Sequence, residues 1–216
     1  MRNTKSVKRK TLGDSNILSK EELYRRIYEE DEELKIVITP LLKPSDQISS
    51  TSIDVRLGTE FIIFKRRNFS LLDPIADDIT QKIGEYQERI YIPPGQKLYL
   101  HPRQFVLGST LEYTSLPCDV LAYVTGRSSW GRLGLMIATA TVIHPNYKGI
   151  ITLELANLGD APIALTPGIR VAQLIFHKCS KTKMERASKY FMSVRPTFAR
   201  VYEEPEREAL RDLSIY

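Results

Sequence analysis

The chain has 216 residues, of which 42% are hydrophobic, so it can bury a core and wholesale disorder is excluded. It has no run of about 18 apolar residues and no apolar stretch behind its first basic residues, so we expect neither a membrane-spanning helix nor a secretory signal. The formal net charge of +5 is concentrated at one end, because five of the 31 bases lie in the first ten residues and no acid accompanies them.

Residues 1–15 are predicted to form a disordered, solvated arm. They carry Arg2, Lys5, Lys8, Arg9 and Lys10. A basic arm of this composition is also typical of a segment that holds nucleic acid. No basic stripe with interleaved aromatic residues continues into the body of the chain, so nucleic acid is not expected as a main partner.

A capping box at Ser19–Glu22 and an apolar face predict a helix over residues 19–30. After it, short strand-like runs separated by Pro, Gly, Asp and Asn recur at fairly even spacing. These runs cover residues 36–39, 52–57, 61–64, 89–92, 97–100, 104–113, 120–124, 135–143, 149–156, 162–165 and 169–177. The pattern predicts an all-β dominated fold, a distorted β-barrel or double-sheet roll with a few short helices.

Two stretches interrupt this pattern. The composition of residues 69–88 predicts a long loop, either irregular throughout or containing a short helix. The charged residues from Glu203 to Tyr216 favour a short surface helix. We therefore divide the chain into a basic arm (1–15), a β domain (16–200) and a charged C-terminal tail (201–216).

The turn-like segment Gly126–Gly134, with the sequence GRSSWGRLG, concentrates side chains that bind anions. Ser128 is predicted to cap a short helical turn, whose backbone amides would form an anion cradle with Arg127 and the hydroxyls. Arg132 would lie on the same face, four residues after Ser128. The Gly-Lys-Ser/Thr spacing of a Walker loop is absent. A strand-to-strand turn with a solvated arginine fits the same residues.

One acid lies inside the strand-like run 150–157. The two-residue period of a strand places Glu154 on the face opposite Leu153 and Leu155. A carboxylate in apolar surroundings loses hydration, which raises its pKa toward the range that a general base needs. An outward-facing glutamate on a half-exposed sheet is the alternative.

Taken in order, these segments resemble the dCTP deaminase family, which shares a trimeric β-fold with the dUTP pyrophosphatases. The run Arg-Ser-Ser-x-x-Arg-x-Gly, followed later by Thr-Leu-Glu, is specific to this superfamily. The resemblance covers roughly residues 16–200, the predicted β domain. The matching segments are residues 52–58, 111–112, 126–135, 139–140, 145–157, 167–174, 188–190 and 196–197.

The resemblance implies zinc-independent hydrolytic deamination of dCTP to dUTP and ammonia, a step that supplies the dUMP and dTTP pathway. Glu154 matches the glutamate that takes a proton from water and passes it to the cytosine ring nitrogen. Ser128 matches the serine that helps hold that water, and Arg132 matches the arginine beside the base and the glutamate. Ser128 and Arg132 are also implied to bind the substrate. The other substrate-binding residues that the resemblance implies are Arg127, Ser129, Ala140, His144, Thr152, Leu153, Gln173 and Lys189.

The resemblance also implies Mg²⁺, carried on the substrate triphosphate rather than held by a cluster of side chains. Zinc is not expected, because Cys118 has no second cysteine nearby and the three histidines are not at ligand spacing. Two cysteines cannot form a disulfide framework, so a reducing cytoplasm is the expected location. The implied assembly is a homotrimer with active sites between subunits.

Two departures from the family pattern bear on function. His144 stands before Pro145, where the family usually has an aspartate near the deoxyribose, and Ser193 stands where a glutamine often contacts phosphate. The pyrophosphatase relatives use that aspartate in catalysis, so His144 argues against cleavage of dUTP. A bifunctional deaminase and pyrophosphatase, and a non-catalytic nucleotide-binding homologue, are the alternatives.

Overall fold

The computed structural model describes residues 16–65, 70–140, 142–183 and 190–213, so the predicted arm of residues 1–15 lies outside it. The helices are α1 (Lys20–Tyr28), α2 (Pro44–Gln47), α3 (Ile79–Tyr86), α4 (Ser128–Gly131) and α5 (Glu206–Leu213), with a 3-10 turn at Val201–Glu203. The strands are β1 (Val37–Thr39), β2 (Ser52–Arg56), β3 (Glu60–Phe64), β4 (Gln87–Tyr91), β5 (Leu98–Leu100), β6 (Phe105–Ser115), β7 (Val120–Gly126), β8 (Leu135–Ile137), β9 (Val142–Ile143), β10 (Lys148–Asn157), β11 (Ile163–Leu165) and β12 (Arg170–Lys178).

The strands form antiparallel sheets. The first sheet has the order β4-β3-β6-β10-β8, and β1 also pairs with β6. The second sheet has the order β2-β12-β7-β9, while β5 pairs with β11. Within the described residues, the sheets do not close into a barrel. The predicted β-dominated, double-sheet architecture with short helices is confirmed.

The core consists of the inward-facing residues of both sheets. Leu153 and Leu155 of β10, and Leu174 and Phe176 of β12, are completely buried. Along β10 every second side chain is buried in this core, and the side chains between them are only partly buried or exposed. The same strands therefore present polar side chains on their outer faces, where a site can form.

Helix α1 begins where the capping box predicts. The Glu22 N–H donates to Ser19 Oγ over 3.3 Å, and the helix ends at Tyr28, slightly before the predicted end. Arg26 on its buried side donates to Asp119 over 2.5 Å. This ion pair joins the helix to the segment that precedes β7.

The prediction of one strand over residues 135–143 is wrong. The chain first forms β8, which pairs with β10 in the first sheet, and then β9, which pairs with β7 in the second sheet. The change of partner depends on pairing with distant strands, and the apolar character of the segment gives no local signal of it. The divergence of β8 and β9 creates the opening described below.

Much of the predicted loop over residues 69–88 is regular structure. The short helix considered there is present as α3, with Ile79 and Ile83 buried four residues apart, and β4 follows it directly. Helix α2 was not predicted, because its four residues are too few to show a helical period. None of the helices among the described residues has the length and apolar composition of a membrane span.

Candidate active site

A cavity opens where β8 and β10 part. They pair through residues 155–157 of β10, and the last link is a hydrogen bond of 2.8 Å from the Ala138 N–H to the Glu154 carbonyl oxygen. The chain then leaves β10 to form β9 in the second sheet. The opening is a cavity of about 1180 Å³, bounded by β10, residues 142–147 and part of the C-terminal segment.

Glu154 lines this cavity. Its backbone N–H donates to Thr139 Oγ1 over 2.8 Å, which fixes the strand at the point of divergence. Its carboxylate is half-buried and has no hydrogen-bond or ion-pair partner among the described residues. Burial raises the pKa of the Glu154 carboxyl. An unpaired carboxylate with a raised pKa is suited to accepting a proton from water.

Three other residues from the predicted substrate site line the same cavity: Ala140, His144 and Thr152. Thr152 lies two residues from Glu154 on the same face of β10, while His144 is exposed. Leu153 points into the core, so a ligand would meet only its backbone. Ala140, His144, Thr152 and Glu154 are termed the cavity group.

The C-terminal segment lies against the start of β10. The Met192 N–H donates to the Lys148 carbonyl over 2.7 Å, and the Ile150 N–H donates to the Ser193 carbonyl over 2.8 Å. Ser193 therefore holds the segment to the sheet through its backbone. Lys189, which was expected to reach the nucleotide, lies outside the described residues.

Tyr147 is a cavity residue that the sequence analysis did not select. Its hydroxyl donates to the Ile150 carbonyl over 2.5 Å, and burial raises its pKa to about 12. The hydroxyl is therefore protonated at neutral pH and braces the turn between β9 and β10. A single tyrosine in a turn has no periodic pattern that would have revealed this role.

The segment Gly126–Gly134 forms the predicted turn at the end of β7. Arg127 has an extended backbone and is the N-cap of α4, so the expectation that Ser128 caps the helix is wrong by one residue. The Trp130 N–H donates to the Arg127 carbonyl over 3.0 Å. Ser128 is the first helical residue, and its hydroxyl is exposed and makes no hydrogen bond within the described part of the chain.

Gly134 allows this turn to approach the end of β10. Its φ is +92°, and a Cβ atom there would lie 2.6 Å from the backbone nitrogen of Gly159. The Leu158 N–H donates to the Gly134 carbonyl over 2.9 Å. Glycine tolerates both the positive φ and the close approach, so Gly134 allows the turn to pack against the residues that follow β10.

The remaining predicted anion-binding residues lie in α4 or at its ends. Ser129 and Arg132 are exposed, and the Arg132 N–H donates to the Ser128 carbonyl over 3.0 Å, so Ser128 and Arg132 are one turn apart, as predicted. Arg127 is partly buried, and its Nε lies 3.2 Å from Asp54 Oδ2.

Gln173 lies on the outer face of the second sheet. Its position on β12 is opposite Asp54 of β2 and Thr125 of β7. The Ser52 hydroxyl donates to its side-chain oxygen over 3.3 Å. The predicted residues of this region, termed the turn group, are Arg127, Ser128, Ser129, Arg132 and Gln173.

The structure does not bring the two groups together in one chain. No member of the turn group lines the cavity that contains Glu154. Ser128 and Glu154 therefore do not face a common cavity within the described residues. The described residues also contain no group of three or more His, Cys, Asp or Glu side chains that could hold a metal ion.

A profile of the dCTP deaminase-like family matches residues 17–179, and the chain belongs to this family. It is 43% identical over 196 residues to a dCTP deaminase of Halorubrum lacusprofundi, covering 88% of this chain and 93% of the relative. It is 42% identical over 177 residues to a protein of Methanobrevibacter smithii named dCTP deaminase, dUMP-forming, covering 79% and 89%.

The fold has a counterpart among solved structures. A 2'-deoxycytidine 5'-triphosphate deaminase from Agrobacterium tumefaciens superposes with a TM-score of 0.57 at 22% identity. The match covers 77% of this chain and 47% of that one, so this chain spans about half the length of the solved protein. At this identity the likeness shows the fold alone.

Proposed function

We propose that this protein is an enzyme that hydrolyses dCTP to dUTP and ammonia. The observation that carries the proposal is the half-buried, unpartnered carboxylate of Glu154 in a cavity of a dCTP deaminase-like chain. Two relatives at 41–43% identity, each match covering 88% of this chain, are named dCTP deaminase.

In the proposed reaction, Glu154 removes a proton from water and passes it to the ring nitrogen next to the amino-bearing carbon. The hydroxide adds to that carbon, its remaining proton moves to the amino group, and the carbon–nitrogen bond breaks as the carbonyl forms, so that ammonia leaves. The atoms balance as dCTP and water giving dUTP and ammonia. The raised pKa of Glu154 makes its carboxylate a stronger base toward the proton of the water.

The turn group is proposed to bind the triphosphate and to orient the water. Arg127, Ser128 and Ser129 supply hydrogen-bond donors for phosphate oxygens, and fixed donors of this kind stabilise charge without reorganising. Arg132 is proposed to lie beside the base and Glu154. Mg²⁺ is proposed to arrive on the triphosphate, held largely by phosphate oxygens and water.

The separation of the two groups supports a site that is shared between subunits. A complete site needs the Glu154 cavity and the turn group, and one chain presents them apart. We therefore propose a symmetric homotrimer in which one subunit supplies the cavity group and its neighbour supplies the turn group. A cytoplasmic location stays a prediction from the sequence.

The test is incubation of the purified protein with dCTP and Mg²⁺, with chromatography of the nucleotides and a separate assay for ammonia. We expect dUTP and ammonia in equal amounts. A panel with dCMP, CTP and 5-methyl-dCTP run in parallel defines the preferred substrate. Binding of dCTP without release of ammonia from any cytosine nucleotide would replace the proposal with a non-catalytic nucleotide-binding homologue.

The second candidate is a bifunctional enzyme that also cleaves dUTP to dUMP and pyrophosphate. The name of the Methanobrevibacter smithii relative favours it, while His144 in place of an acid in the cavity group argues against it. Pyrophosphate released in step with ammonia would select the bifunctional enzyme. Accumulation of dUTP would select the simple deaminase.

A further inference from the structure

Asp54 is a buried acid of the second sheet to which no role has been given above. The residue is 8% exposed and lies on β2 opposite Gln173. One of its oxygens, Oδ2, lies 3.2 Å from Arg127 Nε and 3.2 Å from Arg170 Nη1. A single carboxylate oxygen thus holds two guanidinium groups.

The contacts of Arg127 use two of the three nitrogens of its guanidinium group. Nε faces Asp54, and Nη1 donates to the Arg170 carbonyl over 3.2 Å. A guanidinium group has five N–H donors in a planar fork, so the Nη2 edge has no partner in the described structure. The side chain is 31% exposed, which leaves that edge open to a ligand.

The anchoring extends to the turn itself. The Trp130 Nε1–H donates to the same Arg170 carbonyl over 2.9 Å. Arg127 and α4 are therefore fastened to one point on β12. Trp130 is also the only tryptophan of the chain, so its fluorescence reports on the neighbourhood of Ser128 and Ser129.

The positive charges of Arg127 and Arg170 explain why Asp54 is needed to hold the two guanidinium groups close together. Arg127 and Arg170 carry like charges and converge on one oxygen, so without the carboxylate they would repel each other. Burial raises the pKa of Asp54, whereas the neighbouring guanidinium groups of Arg127, Arg170 and Arg56 oppose that shift. Asp54 Oδ2 is the shared acceptor on which the two cations converge.

We propose that Asp54 is a positioning residue, which holds Arg127 so that its free edge faces the triphosphate of the nucleotide. The inference rests on the proposed function, because the triphosphate is the ligand that this function requires. It assigns to Asp54 an effect on binding of the phosphate chain and not on the proton transfers at Glu154.

The test compares Asp54→Asn with Asp46→Asn. Both changes remove one negative charge near Arg170, but the Asp46 side chain does not contact Arg127 or Arg170. For Asp54→Asn we expect KM for dCTP to rise about 10- to 50-fold, with kcat changed less than about threefold. For Asp46→Asn we expect both constants to stay within about twofold.

A double-mutant cycle tests whether Asp54 acts through Arg127. In an Arg127→Ala background, Asp54→Asn should add less than about twofold to KM, because the positioned group is already absent. Asp54→Glu keeps the negative charge, so its KM for dCTP should be closer to the wild-type value than that of Asp54→Asn. The same variant replaces Asp54→Asn in the test if the amide variant does not fold. Independent effects of the two changes, or equal KM values for Asp54→Glu and Asp54→Asn, would overturn the proposal.

Binding of inorganic triphosphate, followed by Trp130 fluorescence, separates this inference from the proposed function. We expect Asp54→Asn to weaken triphosphate binding by the same factor as it raises KM. A wild-type protein that binds triphosphate without deaminating dCTP would contradict the proposed function alone. A wild-type protein that deaminates dCTP, with unchanged triphosphate binding in Asp54→Asn, would contradict the inference alone.

Discussion

The cavity group and the turn group hold their charges in opposite ways. In the cavity group, Glu154 has no partner among the described residues and burial raises its pKa, so its carboxylate is available for proton transfer. In the turn group, Arg127 is tied to Asp54 and to the Arg170 carbonyl, so its position is set before a ligand arrives. One region keeps a reactive group free, and the other fixes a binding group.

Replacing Glu154 should have the largest effect. Glu154→Gln keeps the shape of the side chain but cannot accept the proton, so we expect kcat to fall about 1,000-fold or more. Binding of dCTP, followed by Trp130 fluorescence, should change little. Glu203→Gln is the matched control, because Glu203 also lines the cavity but pairs with Arg200 instead of standing free. Retained turnover in Glu154→Gln would remove Glu154 from its role.

Replacing Ser128 tests the turn group. Ser128→Ala removes an exposed hydroxyl that is proposed to hold the water, so we expect kcat to fall about 100-fold. Ser45→Ala removes an exposed hydroxyl at α2, outside both groups, and should leave turnover unchanged. Steady-state kinetics on the two variants would show the contrast, and equal activities would contradict the role of Ser128.

The pH dependence of turnover should follow Glu154. The base must be ionised, so kcat should fall about tenfold per pH unit as the pH drops below its pKa. Burial raises this pKa, so the decline should begin at a higher pH than for an exposed glutamate. A kcat that stays constant down to the ordinary pKa of a glutamate would contradict the assignment.

The smallest predicted effect is on stability. A carboxyl whose pKa is raised by folding stabilises the protein only while it is protonated, and that contribution is lost as the pH rises through the raised pKa. Glu154→Gln should therefore raise Tm by about 1–2 °C at neutral pH. The gain should vanish below the pKa of an unfolded glutamate, which thermal unfolding at several pH values would measure. A Tm that falls at neutral pH would show that Glu154 has a stabilising partner.

Local patterns in the sequence predict the parts of the molecule whose physics is local. The capping box placed the start of α1 at Ser19, and the two-residue period of β10 placed Glu154 opposite the buried Leu153 and Leu155. The turn around Ser128 was also evident, although its cap was displaced by one residue.

Non-local contacts account for what the sequence did not predict. The exchange of partners between β8 and β9 depends on strands far away in the chain, so it left no periodic signal. The pairing of Asp54 with Arg127 and Arg170 is of the same kind. A single acid in an apolar strand indicates a functional residue at Glu154. Asp54 shows the same pattern, but the sequence does not reveal its arginine partners.

The most direct test of the account is a mixture of two inactive variants. Glu154→Gln and Ser128→Ala are combined in equal amounts under mild denaturant, so that subunits exchange, and dCTP deamination is then measured. If each site takes Glu154 from one subunit and Ser128 from its neighbour, random trimers should recover about a quarter of wild-type activity. Activity no greater than the average of the two separate variants would contradict a site shared between subunits.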